Sequence, residues 1–175
     1  MEKSLIEFGG WSDGDCILSI GCGAAWWEIK QIVVQEAGEL LLLDYNKNVL
    51  NRADVEETIE YFENQAGIRL STPVQIIHAD ASAIPLEDES IDQIWLLNSL
   101  HEMDEPLEVL NEIDRLLKSD GCIIVEEILS GGVHEGCGKS LFKIDEISEL
   151  FSQFDFQIQS KCAKDHAAHY VKFAR

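Results

Sequence analysis

The stretch from Cys16 to Asp44 constrains this chain more than any other. It opens with a short apolar run, Cys16-Ile17-Leu18-Ser19-Ile20, whose length and isoleucine content suit a buried strand. Gly21 and Gly23 follow at once, where a strand must turn tightly and let a ligand approach bare backbone. A helical pattern begins near Ala25, with Trp26, Ile29, Val33 and Ala37 on one stripe, and Gly38 is placed to stop it. A second apolar run, Leu40 to Leu43, ends in Asp44. Strand, glycine turn, helix, strand and carboxylate form a nucleotide-type site: turn amides and a helix N-terminus meet the polar end, and an acid about 20 residues on accepts from ribose hydroxyls. A dinucleotide fingerprint would place a third glycine at position 26, where close helix packing excludes a side chain; Trp26 stands there and argues against NAD or FAD.

Further blocks downstream complete a pattern. His78-Ala79-Asp80-Ala81-Ser82 runs into Ile84-Pro85-Leu86-Glu87-Asp88-Glu89-Ser90-Ile91-Asp92. Leu97-Asn98-Ser99-Leu100-His101-Glu102 precedes Leu110-Asn111-Glu112-Ile113-Asp114-Arg115-Leu116-Leu117-Lys118-Ser119-Asp120-Gly121. With the Gly21 turn, these blocks resemble class I S-adenosylmethionine-dependent methyltransferases, from about Cys16 to the end of the chain. The chain is most similar to the small-molecule branch that includes ubiquinone and menaquinone biosynthesis enzymes.

The resemblance implies S-adenosylmethionine as methyl donor and a small-molecule methyl acceptor. It implies backbone contacts from Gly21 and Gly23, ribose hydroxyls on Asp44, the adenine amino group on Asp80 and the ring on the Ala81 amide. Tyr45 is expected against adenine or ribose, or else over the sheet edge, and Asn98 near the donor's methionine end. Asp80 has a competing reading as a cap for Ala81-Ser82. Two positions depart from the family pattern. Ser19 stands where an acid helps orient the cofactor's amino group, and Ala25 where the third glycine sits. These departures keep a second reading open, a degenerate donor-binding or scaffolding module.

Transfer from a sulfonium needs mainly an in-line geometry and exclusion of water. A base matters only if the acceptor has a proton to lose. His101 is the first candidate, because imidazole changes charge near neutral pH, and a capping or sheet-top histidine is the equal alternative. Trp26 reads chiefly as helix packing, or as a lid or cation-π wall for the donor. His134 and Cys137 in a glycine loop are two soft ligands, but two ligands do not make a metal site and no third is adjacent in sequence, so no metal is assigned.

With 175 residues the chain has the length of one domain able to bury a core. Its strand and helix runs alternate, which predicts an α/β parallel sheet covered on both faces. The resemblance supplies the Rossmann-like seven-stranded order 3-2-1-4-5-7-6 with strand 7 antiparallel. Residues 1–11 are expected as a short lead-in, 46–63 as a helix with Val49, Leu50, Ala53, Ile59 and Phe62 inward, and 105–118 as a helix burying Leu107, Leu110, Ile113 and Leu117. Residues 130–139 are a glycine-rich loop. Thirteen basic against 33 acidic residues leave a net charge of −20, which repels phosphate backbones and anionic lipid and argues against nucleic acid and membrane partners. Five scattered cysteines without a C-x-x-C pair suggest reduced thiols. With no signal-peptide pattern, a cytoplasmic location is expected. The short lead-in leaves the donor pocket open or covered by another chain, so a homodimer is a further expectation.

Overall fold

The computed structural model describes residues 3–175; Met1 and Glu2 of the lead-in lie outside the described residues. Seven strands form one sheet in the order β3-β2-β1-β4-β5-β7-β6. They are β1 Cys16–Ile20, β2 Glu39–Leu43, β3 Val74–Ile77, β4 Ile91–Leu97, β5 Leu117–Ile128, β6 Gln157–Ala163 and β7 Ala168–Ala174. All neighbouring pairs are parallel up to β5, and β7 runs antiparallel to both β5 and β6. The order and the reversed last strand agree with the expectation.

Alternation along each strand builds two cores. Leu18, Ile20, Leu41, Leu43, Ile94, Leu96, Ile123 and Val125 point to one face, under α4 Pro106–Leu116 and α5 Ile144–Ser152. Ile17, Leu40, Leu42, Trp95, Ile124 and Tyr170 point to the other, under α1 Leu5–Gly9, α2 Trp26–Val34 and α3 Arg52–Ala66. Strands buried on both faces must be apolar at successive positions, which is why β1, β2 and β4 read as continuous runs.

Several boundaries differ from expectation for local reasons. α2 ends at Val34, and Gly38 caps nothing: a Cβ there would lie 2.5 Å from the Gly14 carbonyl oxygen, so the glycine is needed where two backbones touch. α3 begins at Arg52, because Asn51 caps it by accepting from the Asp54 N–H at 3.0 Å, while residues 46–50 form a separate turn closed on the Asn46 carbonyl. Its phase shifts accordingly. Val55 and Thr58 face inward with Leu50, and Val49 and Ala53 are exposed. In α4, Pro106 occupies the first turn and Val109, Leu110, Ile113 and Leu116 are buried, which leaves Leu107 outside. Trp26 leaves the α2 core stripe as well: 44% exposed, it packs on Tyr61 and Phe62 of α3 with ring centroids 5.2 and 4.7 Å away. Its place in the stripe is taken by Ala25, Glu28, Ile29, Ile32 and Val33.

Candidate active site

The strands β1, β2 and β4 end together at Ile20, Leu43 and Leu97, and the segments leaving them diverge to open a crevice. This is where ligands bind in open α/β sheets. On one side of the Gly21–Gly23 turn lies a hollow of about 490 Å³, bordered by Gly21, Asp44, Tyr45, Asp80, Ala81 and Met103. On the other side lies a recess of about 460 Å³, bordered by Cys22, Trp26, Glu28, Asn98, Glu126 and His134.

The turn is shaped by backbone. Gly21 and Gly23 have φ of +69° and +53°, the left-handed region that favours glycine. A Cβ on Gly21 would lie 2.9 Å from the Ser99 Cβ, whereas one on Gly23 would meet nothing closer than Val49 Cγ1 at 3.9 Å. Ala25 is also left-handed, at φ +55°, so the backbone keeps the conformation that the missing third glycine would have supplied. Asn98 has φ +55° at the end of β4 and stands exposed at the recess.

Asp44 first organises its own surroundings. Its Oδ2 accepts from the Gly23 N–H at 2.9 Å and its Oδ1 from the Asn46 N–H at 2.8 Å, which ties the two crevice turns together. Each oxygen retains lone-pair capacity. Tyr45 beside it is 79% exposed and stands at the rim of the hollow. Asp80 accepts from the Ser82 N–H and hydroxyl at 2.9 and 2.7 Å, both on Oδ1, and these bonds hold its carboxyl below the usual range. The capping geometry is therefore realised, as a turn and not at a helix start, with Asp80 and Ala81 still bordering the hollow.

Glu28 was not singled out by the sequence reading. Its carboxyl is buried, 3% exposed, and accepts from the Ser19 hydroxyl at 2.9 Å. Burial pushes its pKa up to about 7, against the pull of a backbone hydrogen bond and of Ser19, with Glu126 adding to the rise. The carboxyl missing from position 19 of the strand thus comes back to that spot from the helix. The signal for it was present: an acid occupying a position on the apolar stripe of α2.

His101 lies in a 3₁₀ turn, Leu100–Glu102, following β4. Its side chain has no exposed surface, and its Nδ1 sits 2.8 Å from Glu127 Oε2, also fully buried. The Glu127 Oε1 accepts the His101 backbone N–H at 3.2 Å. Burial raises the Glu127 carboxyl above its ordinary range, and the neighbouring imidazole opposes that rise. The His101 ring packs on His134, centroids 4.8 Å apart, so His134 stands between it and solvent.

Against this geometry stand the matches to known proteins. Residues 18–125 match the family described as "Methyltransferase domain". The chain belongs to this family of class I S-adenosylmethionine-dependent methyltransferases. A demethylmenaquinone methyltransferase of Staphylococcus saprophyticus is 28% identical over 136 residues, covering 74% of this chain and 52% of that protein. An uncharacterized chloroplastic methyltransferase of Arabidopsis thaliana is 25% identical over 113 residues, 65% of this chain and 31% of that one. The chain thus spans 31% and 52% of the length of these two curated relatives. The fold matches an S-adenosylmethionine-dependent methyltransferase from Aquifex aeolicus at TM-score 0.73 and 17% identity, over 97% of this chain and 86% of that one. One from Methanosarcina mazei matches at TM-score 0.73 and 15% identity, over 99% and 98%. The methyl donor of the family is S-adenosylmethionine, and the features described above suit it: a turn with glycine at two of its three positions, an acid at the end of β2 and a buried carboxyl beyond the turn.

Proposed function

We propose that this protein transfers a methyl group from S-adenosylmethionine to a small-molecule acceptor. The observation that carries this reading is the crevice astride Gly21–Gly23, with Asp44 on one side and Glu28 on the other. Asp44 accepts from the ribose hydroxyls while keeping the Gly23 amide. Asp80 and the Ala81 amide meet the adenine edge, and Tyr45 closes over the nucleoside from the rim. Asn98 and the Glu28 carboxyl receive the amino acid end of the donor, Glu28 in place of the acid that Ser19 replaces. The bound sulfonium supplies an activated methyl group. The protein's own part is to align and desolvate it, since a leaving group this good asks for little further chemistry. His101 serves as a base only if His134 moves aside and its Nε2 carries no other ligand, because a base must have a free lone pair within hydrogen-bond reach of the proton it takes. The name of the menaquinone relatives makes a hydroquinone ring the first acceptor to assay.

Glu28 weakens the case for a degenerate module, which rested partly on the absent acid. Calorimetry with S-adenosylhomocysteine and, separately, NADH tests the reading. Binding of the first and none of the second is expected. Asp44→Ala should weaken S-adenosylhomocysteine by roughly 30-fold, the equivalent of about 2 kcal/mol for lost charge-assisted hydrogen bonds. Binding of NADH alone would overturn the proposal, and tight donor binding without turnover on any acceptor would leave the module.

A further inference from the structure

The loop after β5 carries a feature that donor binding does not use. Val133 bridges to Ser140 in antiparallel fashion, the His134 N–H donates to the Lys139 carbonyl at 2.8 Å, and the Gly138 N–H donates back to the His134 carbonyl at 2.9 Å. Lys139 Nζ pairs with Asp104 Oδ1 at 2.6 Å, which fastens this small hairpin to the segment following β4. The hairpin sets His134 Nδ1 3.2 Å from Cys137 Sγ and lays the pair over His101. One ligand atom from each of His101, His134 and Cys137 then lies within 4.8 Å of the others.

Two facts about His101 point to a ligand at this spot. Its Nε2 is buried with no hydrogen-bond partner, an arrangement that costs free energy unless something fills it. Its Nδ1 lies 2.8 Å from the buried Glu127 carboxyl; with Glu127 ionised the proton sits on Nδ1 and the Nε2 lone pair is left for a ligand. A carboxylate behind a histidine is the usual support of a metal-bound imidazole.

We propose that His101 Nε2, His134 and Cys137 Sγ bind one zinc ion, with Glu127 positioning His101. Two imidazoles and a thiolate suit zinc, and three protein ligands leave a fourth position for water or for a donor atom of an acceptor. In tetrahedral zinc these ligand atoms stand about 3.3–3.5 Å apart, from Zn–N of about 2.0 Å and Zn–S of about 2.3 Å, so the site closes by roughly 1 Å on binding. The hairpin contains Gly136 and Gly138, the latter at φ +70°, and is built of exposed residues apart from His134, so that adjustment leaves the core intact. Cys137 gives its thiol proton to solvent. The charges of the ion, the Cys137 thiolate and the Glu127 carboxylate then sum to zero. His134 also borders the recess beside Asn98, which sets the ion at the wall of the crevice.

The test uses the full chain, stripped of metal and without methyl donor, so its outcome is independent of the transfer reading. Titration with zinc against a chromophoric chelator should show one equivalent bound, and cobalt(II) in its place should give a near-ultraviolet thiolate charge-transfer band with tetrahedral visible bands. Cys137→Ser, at an exposed position, should fold normally by circular dichroism, abolish the charge-transfer band and weaken zinc at least about 100-fold; Cys162→Ser should do neither. Glu127→Gln should weaken zinc about 10-fold with the band retained. Failure to bind a stoichiometric ion or a cobalt spectrum unchanged in Cys137→Ser would each overturn the assignment.

Discussion

Glu28 has a carboxyl that burial keeps protonated to about pH 7, well above its ordinary 4.5. Because its folded pKa is the higher one, the folded state holds a proton that the unfolded state has lost between these two values. Stability therefore falls as pH rises from about 4.5 to about 7 and levels off above, where both states are ionised. At about 1.4 kcal/mol per pH unit the loss amounts to roughly 3 kcal/mol. Urea unfolding of Glu28→Gln and the parent at pH 5 and pH 8 measures it: near-equal stabilities at pH 5 and a variant more stable by up to roughly 3 kcal/mol at pH 8. Of the groups around Glu28, Glu126 acts on it as a charge and is itself paired by Lys164 Nζ at 2.5 Å, while burial pushes the Cys22 thiol far above its ordinary pKa and keeps it neutral. If Glu28 meets the donor's ammonium as proposed, the same substitution weakens S-adenosylhomocysteine about 10-fold or more. Asp44 was legible in the sequence because its role follows from its place at the end of a strand. For Glu28 the sequence offers only an acid on the apolar stripe of α2; its role was not legible, because its partner Ser19 is on another element and only the α2–β1 packing brings them within 2.9 Å.

At the scale of elements, the apolar runs predicted the strands well, and the helices were off at their ends. Periodicity shows that a helix exists, but its limits depend on caps and on what the next segment touches. Asn51 starts α3 with a side-chain cap that the longer polar-apolar pattern conceals. Gly38 has the place of a helix stop, yet its reason is the Gly14 backbone leading into the neighbouring strand β1, a contact no local pattern records. Gly38→Ala places a methyl carbon against a backbone that cannot swing away. A loss of roughly 2–3 kcal/mol is expected in urea unfolding, with Gly14→Ala much milder because a Cβ there meets open space. Arg115 shows how an element carries a motif. Its guanidinium donates to the Ile84 and Leu86 carbonyls at 2.9 and 2.7 Å and pairs with Asp88 and Glu112, so α4 clamps the segment between Asp80 and β4. The Asp-Arg-Leu-Leu-Lys run that resembled the family is therefore a fold-holding feature in this chain.

For the whole molecule, a net charge of −20 on 175 residues produces self-repulsion that screening relieves. Raising sodium chloride from 0.05 to 0.5 M shortens the screening length severalfold and should increase stability by roughly 1 kcal/mol, about 3 °C in Tm by calorimetry. An unchanged or lower Tm would show that the surface ion pairs outweigh the repulsion. Among the described residues no helix is long and apolar enough to cross a membrane. The sequence by itself determined the α/β class, the strands, the glycine turn and the acid at the end of β2, because these depend on residue spacing within one segment. Only the tertiary structure decided that Glu28 returns a carboxyl to Ser19, that Trp26 faces α3 rather than the core, and that His101 meets His134 and Cys137. Those meetings join residues on different elements, and their distances are set by sheet order and helix packing, which a local pattern does not encode.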